Sequence, residues 1–310
     1  MHADDRAELL RRLGGLGRAD VPIGPLTTYR VGGSAAVFVS VKSLDDLRVV
    51  ARARADLNVA TLMIGRGSNM LVADEGFDGV AIQLGDFASF VELPPHERHG
   101  DVPMVRAGGG ALLPVLARRT ASAGWRGLEW AVGVPGSVGG AVRMNAGGHG
   151  SDMATSLVDA TVFDLRTGED RSWSREEIGL RFRGSSLGDD QVVIEARLRV
   201  EPGDASEAQS MIDDIVRWRR ENQPGGQNAG SVFVNPIPGE LSAGELVDRA
   251  GLRGFRIGTA EVSTKHANFI QSDENGRAAD VVAVMRHVHS RVLNEFGHDL
   301  RSEVRLVGFE

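Results

Sequence analysis

The chain contains no cysteine. Disulfides and thiolate metal sites are therefore excluded, and an intracellular setting is compatible with that. It also lacks an excess of basic charge: 35 lysines and arginines stand against 42 acidic residues, a net of −7. Nucleic acid is then not the main partner, because a phosphate backbone calls for a basic surface. A few local arginines can still hold one small anion. No apolar run approaches the length that spans a bilayer. The first residues, Met1-His-Ala-Asp-Asp-Arg-Ala-Glu-Leu-Leu10, place acids where a secretory signal needs basic and then apolar residues. A cytoplasmic protein with no membrane partner is expected. Internal repeats and low-complexity tracts are absent, and so is a G-x-x-x-x-G-K-[ST] phosphate loop.

Glycine is plentiful, with 40 in 310 residues. It concentrates in two loops, Gly65-Arg-Gly-Ser-Asn69 and Gly133-Val-Pro-Gly-Ser-Val-Gly-Gly140, each preceded by an apolar stretch (60–64 and 128–132). Without a Cβ, the backbone N–H groups of such a loop can approach an anion closely. Two loops on one chain suit a long, doubly charged ligand such as a dinucleotide pyrophosphate. A classical dinucleotide fingerprint is not present, since Met70 stands where G-x-G-x-x-G needs its third glycine.

A length of 310 residues fits two or three domains. Hydrophobic patterning predicts a short N-terminal helix through Leu9, Leu10, Leu13 and Leu16, a strand over 37–41, and a helix from Ser43-Leu-Asp-Asp46 to about Asp56. Strands follow over 60–64 and 80–84. Farther on, strands near 102–107, 158–164 and 191–200 surround a helix over 111–123, and Arg166-Thr-Gly-Glu169 joins a hairpin. Helices are expected over 205–222, from Ser242 to Ala250 and over 277–296, with a closing strand over 303–307. The fold class is α+β. The expected division is 1–85, 86–203 and 204–310. His287 and His289 are two apart in a helical pattern and do not share a face, so they read as solvated and no metal site is expected.

An ordered set of motifs is more specific. Thr27-Thr-Tyr-Arg-Val-Gly-Gly33, the two glycine loops and Asn145-Ala-Gly147 come first. Phe182-Arg-x-Ser185, Ala229-Gly-Ser-Val-Phe-x-Asn-Pro236, Ser263-x-Lys-His-Ala-Asn-Phe269 and Leu300-x-x-Glu-Val304 follow. Taken together, the set resembles the bacterial UDP-N-acetylenolpyruvoylglucosamine reductase family, flavoenzymes of cell-wall precursor synthesis, in its shorter subtype. The resemblance runs from about Leu26 to Gly308. It implies a two-subdomain FAD-binding fold of the vanillyl-alcohol-oxidase type plus a C-terminal α/β substrate-binding domain. It also implies an oxidoreductase that takes hydride from NADPH through FAD to the enolpyruvyl double bond of a UDP-sugar. The product is UDP-N-acetylmuramate, and a monomer is expected.

That chemistry needs a cation or acid for the developing enolate, a proton donor and a cofactor cradle. The resemblance assigns Ser231 as proton donor, Arg183 as the cation at the substrate carboxylate, and Glu303 as a second electrophilic group, with Glu195 and Glu261 as rival carboxylates. It assigns Gly65, Gly67, Ser68 and Asn69 to the pyrophosphate. Gly133, Ser137, Gly139, Gly140 and Ala141 fall to the flavin and phosphate run, with Arg30 near the flavin and Thr28 beside it. Asn235 and Lys265 are expected at the substrate, with His266 a weaker candidate. No histidine sits in an attachment context, so FAD is expected to be non-covalent. Three positions depart from the family: Phe182 for the usual tyrosine, Gly184 for an acid and Val234 for a lysine. They leave open a paralogue with another substrate. A flavin- or nucleotide-binding regulatory protein is the alternative of a different class, and the joint retention of Arg183, Ser231 and Glu303 counts against it.

Overall fold

The computed structural model describes residues 1–95, 102–237 and 239–309. It divides into two compact units, one of residues 1–19, 37–66 and 79–219, the other of residues 20–36, 67–78 and 220–310. Mixed helix and sheet content bears out the α+β class.

The first unit holds two sheets. One has the strand order Gly17–Pro22, Ser34–Val41, Phe77–Leu84, Thr61–Met63, with Thr61–Met63 parallel to Phe77–Leu84. A few end residues of its longer strands belong to the other unit. The helix Leu44–Arg54 starts as its sequence predicts: the Ser43 hydroxyl accepts from the Asp46 N–H, and acids open and arginines close the helix. Its Leu47 and Val50 enter a core with Val37, Val39, Val80 and Ile82.

The second sheet is antiparallel, in the order Glu169–Ser174, Leu157–Asp164, Gln191–Arg199, Met104–Gly108, Val91–Glu92. Along its central strand Ile194, Ala196 and Leu198 are buried, whereas Glu195 is half-buried and Arg197 and Arg199 are exposed. That is the two-residue alternation of a sheet with one covered face. The helix Leu113–Ser122 buries Leu113, Leu116 and Ala117 in the same core. Emptying a fully buried position such as Leu116 to alanine would cost roughly 2–5 kcal/mol. The hairpin closes through Asp164 opposite Glu169. A helix not anticipated from sequence, Val138–Met144, occupies the end of the second glycine loop, capped by Ser137. Its Gly139 and Gly140 hid it, because glycine is a poor helix former.

In the second unit, Met70–Val72 pairs in parallel with Arg305–Val307, joining residues more than two hundred positions apart. A three-stranded antiparallel sheet of Arg256–Ile257, Ala260–Val262 and Ile270–Ser272 lies in the same unit. The helix Ala278–Phe296 buries Val281, Val284, Met285, Val288 and Val292, spaced three and four apart. Its own flank offers no side-chain cap. Instead the Asp74 carboxylate accepts from the N–H groups of Ala278 and Ala279 at 2.8 and 3.1 Å. Among the described residues no helix is long and apolar enough to cross a membrane.

Candidate active site

A cavity of about 450 Å³ lies in the first unit. Gly65, Ser137, Gly139 and Gly140 line it, as the sequence led us to expect, together with Arg66, Gly109, Gly110 and Arg143. Ile64, Leu112, Val115 and Val193 supply apolar wall. Tight backbone packing explains the glycines. A Cβ on Gly109 would stand 1.9 Å from the Val193 carbonyl oxygen, and one on Gly139 3.0 Å from the Gly109 carbonyl oxygen. The two loops use their amides differently. The N–H groups of Gly65 and Arg66 bond to nothing among the described residues. Those of Val138, Gly139 and Ala141 are taken up by the carbonyls of Ala111, Gly109 and Ser137. The first loop therefore offers donors to an anion, and the second offers close approach.

Some of the expected cofactor residues lie off this cavity. Gly133 and Ala141 do not line the cavity: both are buried, and the space a Gly133 Cβ would take is filled by the His149 ring. Asn69 belongs to the second unit with Gly67 and Ser68, and its side-chain amide donates to the Glu303 carbonyl at 3.0 Å. Arg66 and the run Gly108-Gly-Gly110 escaped the sequence reading. Three successive glycines between a strand and a helix were the available signal.

Arg183 occupies a two-residue turn, with Arg181 and Gly184 exchanging hydrogen bonds of 2.9 and 3.1 Å. Its φ is +55°, a left-handed backbone that costs an L-residue on the order of 1 kcal/mol. The Asn145 amide donates to the Arg181 carbonyl, and the Arg183 guanidinium donates to the Gly147 carbonyl. Phe182, 56 % exposed, lies against that guanidinium at 5.5 Å. Ser185 is buried and donates to the Arg143 carbonyl, a structural role. In the same unit, Arg219 is half-buried, and its guanidinium has no hydrogen bond or ion pair among the described residues. Burial holds its pKa below the ordinary value. Burial and, secondarily, the Arg219 charge push that of His149 down. As one of three arginines within Arg217-Trp-Arg-Arg220, Arg219 carried no sequence signal.

The second unit brings Ser231 and Glu303 together. The segment after Ser231 pairs antiparallel with the one around Glu303: Val234 N–H donates to the Arg301 carbonyl at 2.9 Å and Glu303 N–H to the Val232 carbonyl at 2.8 Å. Gly230, at φ +79°, turns the chain into Ser231, and its N–H is held by the Asn228 side chain at 3.0 Å. Below this turn Tyr29 is fully buried in the core of the unit. Burial pushes its hydroxyl pKa well up, opposed by the nearby Ala229 backbone. Thr28 and Arg30 flank it. The Thr28 Oγ is buried without a partner, and Arg30 is exposed with φ +56°.

The substrate candidates are already engaged within the fold. Asn235 accepts the Ala243 N–H at 3.0 Å, and the Lys265 ammonium donates to the Arg220 carbonyl. His266 accepts the Asn268 N–H through Nδ1 at 3.2 Å, and burial, aided by the Arg253 charge, lowers its pKa. The rival carboxylates are both paired. Glu195 forms a two-point pair with Arg106 at 2.8 Å, and Glu261 meets Arg256 at 3.2 Å. His287 and His289 are not simply solvated: His287 stacks on Phe255 at 4.0 Å, and His289 pairs with Asp299 at 2.6 Å. No metal-ligating cluster occurs among the described residues.

Residues 35–170 match the model of an FAD-binding domain, which makes the protein a flavoprotein with a glycine-lined cofactor fold. Residues 222–307 match that of the UDP-N-acetylenolpyruvoylglucosamine reductase C-terminal domain. The chain belongs to the UDP-N-acetylenolpyruvoylglucosamine reductase family. It is 42 % identical over 294 residues to the reductase of a Synechococcus strain, covering 94 % of each chain. It is 37 % identical to that of Bacillus subtilis, covering 97 % of each. The crystal structure of the Thermus caldophilus reductase superposes with a TM-score of 0.79 at 34 % identity, covering 94 % of this chain and 99 % of that one.

Proposed function

We infer that this protein reduces UDP-N-acetylglucosamine enolpyruvate to UDP-N-acetylmuramate with NADPH and FAD, in peptidoglycan precursor synthesis. Family membership over nearly the whole chain is the observation that carries this reading. The residues present fit FAD. Unspent amides at Gly65 and Arg66, and the unpaired Arg66 guanidinium in the same cavity, suit a pyrophosphate. The apolar wall suits a ring system. The residues of 1–85 and 86–203 would form the two FAD-binding subdomains and 204–310 the substrate domain, in a cytoplasmic monomer.

Bound FAD supplies the hydride relay from NADPH to the vinyl carbon. In this reading Arg183 holds the substrate carboxylate, where negative charge grows, and its left-handed turn fixes the guanidinium in one direction. Ser231 delivers the proton to the neighbouring carbon. Glu303, tethered at both of its main-chain polar groups, would serve as a protonated carboxyl that donates a hydrogen bond to the enolate, from the segment paired with the one after Ser231. The test is NADPH oxidation by the purified protein. It should depend on UDP-N-acetylglucosamine enolpyruvate, and flavin should be released on acid precipitation. Oxidation indifferent to that substrate would overturn the reading.

A further inference from the structure

In the motif Ser263-x-Lys-His-Ala-Asn-Phe269, neither the cofactor nor the substrate reading uses Asn268. Asn268 is 4 % exposed and sits in the second unit. Its Oδ1 accepts the Phe233 N–H at 2.9 Å, and its Nδ2 donates to the Phe233 carbonyl at 2.8 Å. Its own main-chain carbonyl accepts the Val232 N–H at 2.8 Å. Three hydrogen bonds from one residue therefore fasten the two residues that directly follow Ser231. The side-chain amide stands in for a strand neighbour, offering one acceptor and one donor at backbone spacing.

The remaining polar groups of that segment are met by the 301–303 stretch: the Val232 carbonyl by the Glu303 N–H and the Val234 N–H by the Arg301 carbonyl. Asn268 is itself fixed. Its N–H donates to His266 Nδ1, the Phe269 N–H reaches the His266 carbonyl at 3.0 Å, and the Ser263 N–H reaches the Phe269 carbonyl at 2.8 Å. Lys265 and His266 N–H groups close on Ser263 Oγ at 3.1 and 3.4 Å. A buried amide bonded at both its oxygen and its nitrogen rigidifies what it holds.

We propose that Asn268 is the positioning residue for Ser231, setting the direction of the Ser231 hydroxyl through the Val232 and Phe233 peptides. This rests on Ser231 being the proton donor. Only a side chain with its acceptor and donor on separate atoms, at amide spacing, serves. An aspartate in its place would turn a second acceptor toward the Phe233 carbonyl, so Asn268→Asp removes one bond and adds a repulsion with no change in shape. A displacement of about 1 Å at a reacting group can cost on the order of 100-fold.

The experiment uses the FAD-loaded enzyme, with Asn268→Asp and, as a second variant, Asn268→Ser. Both should lose roughly 10- to 100-fold in kcat, with substrate KM and the rate of flavin reduction by NADPH unchanged. In a Ser231→Cys background the same substitution should cost far less, because the donor it orients is already displaced. An equal, additive loss in that background would overturn the proposal, as would a loss confined to KM. Failure of both variants to retain flavin or to melt cooperatively would assign Asn268 to stability and overturn it too. Wild-type turnover by Ser231→Ala would instead remove the proton-donor reading, and this proposal with it.

Discussion

The two units solve different problems with different materials. In the first, the working surface is main chain: glycines at 65, 109, 110, 139 and 140 line a cavity whose tightest approaches are between backbone atoms. In the second, the working groups are the side chains of Ser231 and Glu303, and the backbone that carries them is tied by Asn69, Asn268 and the 301–303 stretch. A proton donor must be aimed, and aiming takes hydrogen bonds from distant parts of the chain. Substitutions should therefore separate the two functions.

The sharpest separation is Ser231→Ala. Turnover should fall by about 10²–10⁴, while FAD binding and flavin reduction by NADPH stay near normal. Ser231→Cys should keep part of the activity, since a thiol still donates a proton. Stopped-flow mixing of the reduced enzyme with substrate is the measurement, and a slowed reductive half-reaction would break the division between the units.

Gly109→Ala attacks the other side of the comparison. Its Cβ would meet the Val193 carbonyl oxygen at 1.9 Å, against 3.1 Å from the Ala88 carbonyl oxygen for Gly110→Ala. The first should destabilise by roughly 1–3 kcal/mol and weaken flavin retention, and the second should do less. Melting curves with and without added FAD test this. Equal melting temperatures for the two variants would show that the wall yields freely.

Phe182→Tyr should change substrate affinity by about 0.5–1.5 kcal/mol and leave flavin reduction alone, because the exposed ring adjoins Arg183. Steady-state KM and anaerobic reduction give the two readouts, and a change in reduction would place residue 182 on the cofactor side.

The smallest effect concerns stability rather than either function. Burial opposes ionisation of Asp164, but hydrogen bonds from the Arg166 side chain and N–H and from Gln191 outweigh it and hold the pKa at about 2. The unfolded chain takes up this proton below about pH 4, and the folded chain does so only near pH 2. The stabilisation is therefore complete above pH 4 and is lost as pH falls to about 2. Asp164→Asn should be less stable than the parent at pH 6 and match it near pH 2, measured by urea midpoints. A gap that persists at pH 2 would show that the carboxylate charge is not its source.

Local rules made much of the secondary structure legible. The helix over 205–222 is found as read, the capped starts at Ser43 and Ser242 hold, and the apolar spacing of 278–296 is its buried face. Glycines 65, 139 and 140 fall on the cavity because absent Cβ atoms are visible in a sequence. Gly133 and Ala141 do not: the His149 ring takes the space a Gly133 Cβ would fill, and Ala141 is buried in the helix over 138–144, neither of which leaves a local pattern. The helix over 138–144 was masked by its own glycines.

The sequence by itself determined the family, the α+β class and the identity of the candidate groups, because motif order, hydrophobic period and capping residues are properties of neighbours along the chain. Tertiary structure decided which partners each candidate meets. Glu195 and Glu261 are spent on arginines, Lys265 and Asn235 on backbone, and Asn69 on the Glu303 carbonyl. It alone set Glu303 beside Ser231 and Asn268 behind them, through hydrogen bonds closing loops of 35 to more than 200 residues. Pairings over such separations leave no local pattern, because each partner's neighbours along the chain are indifferent to it.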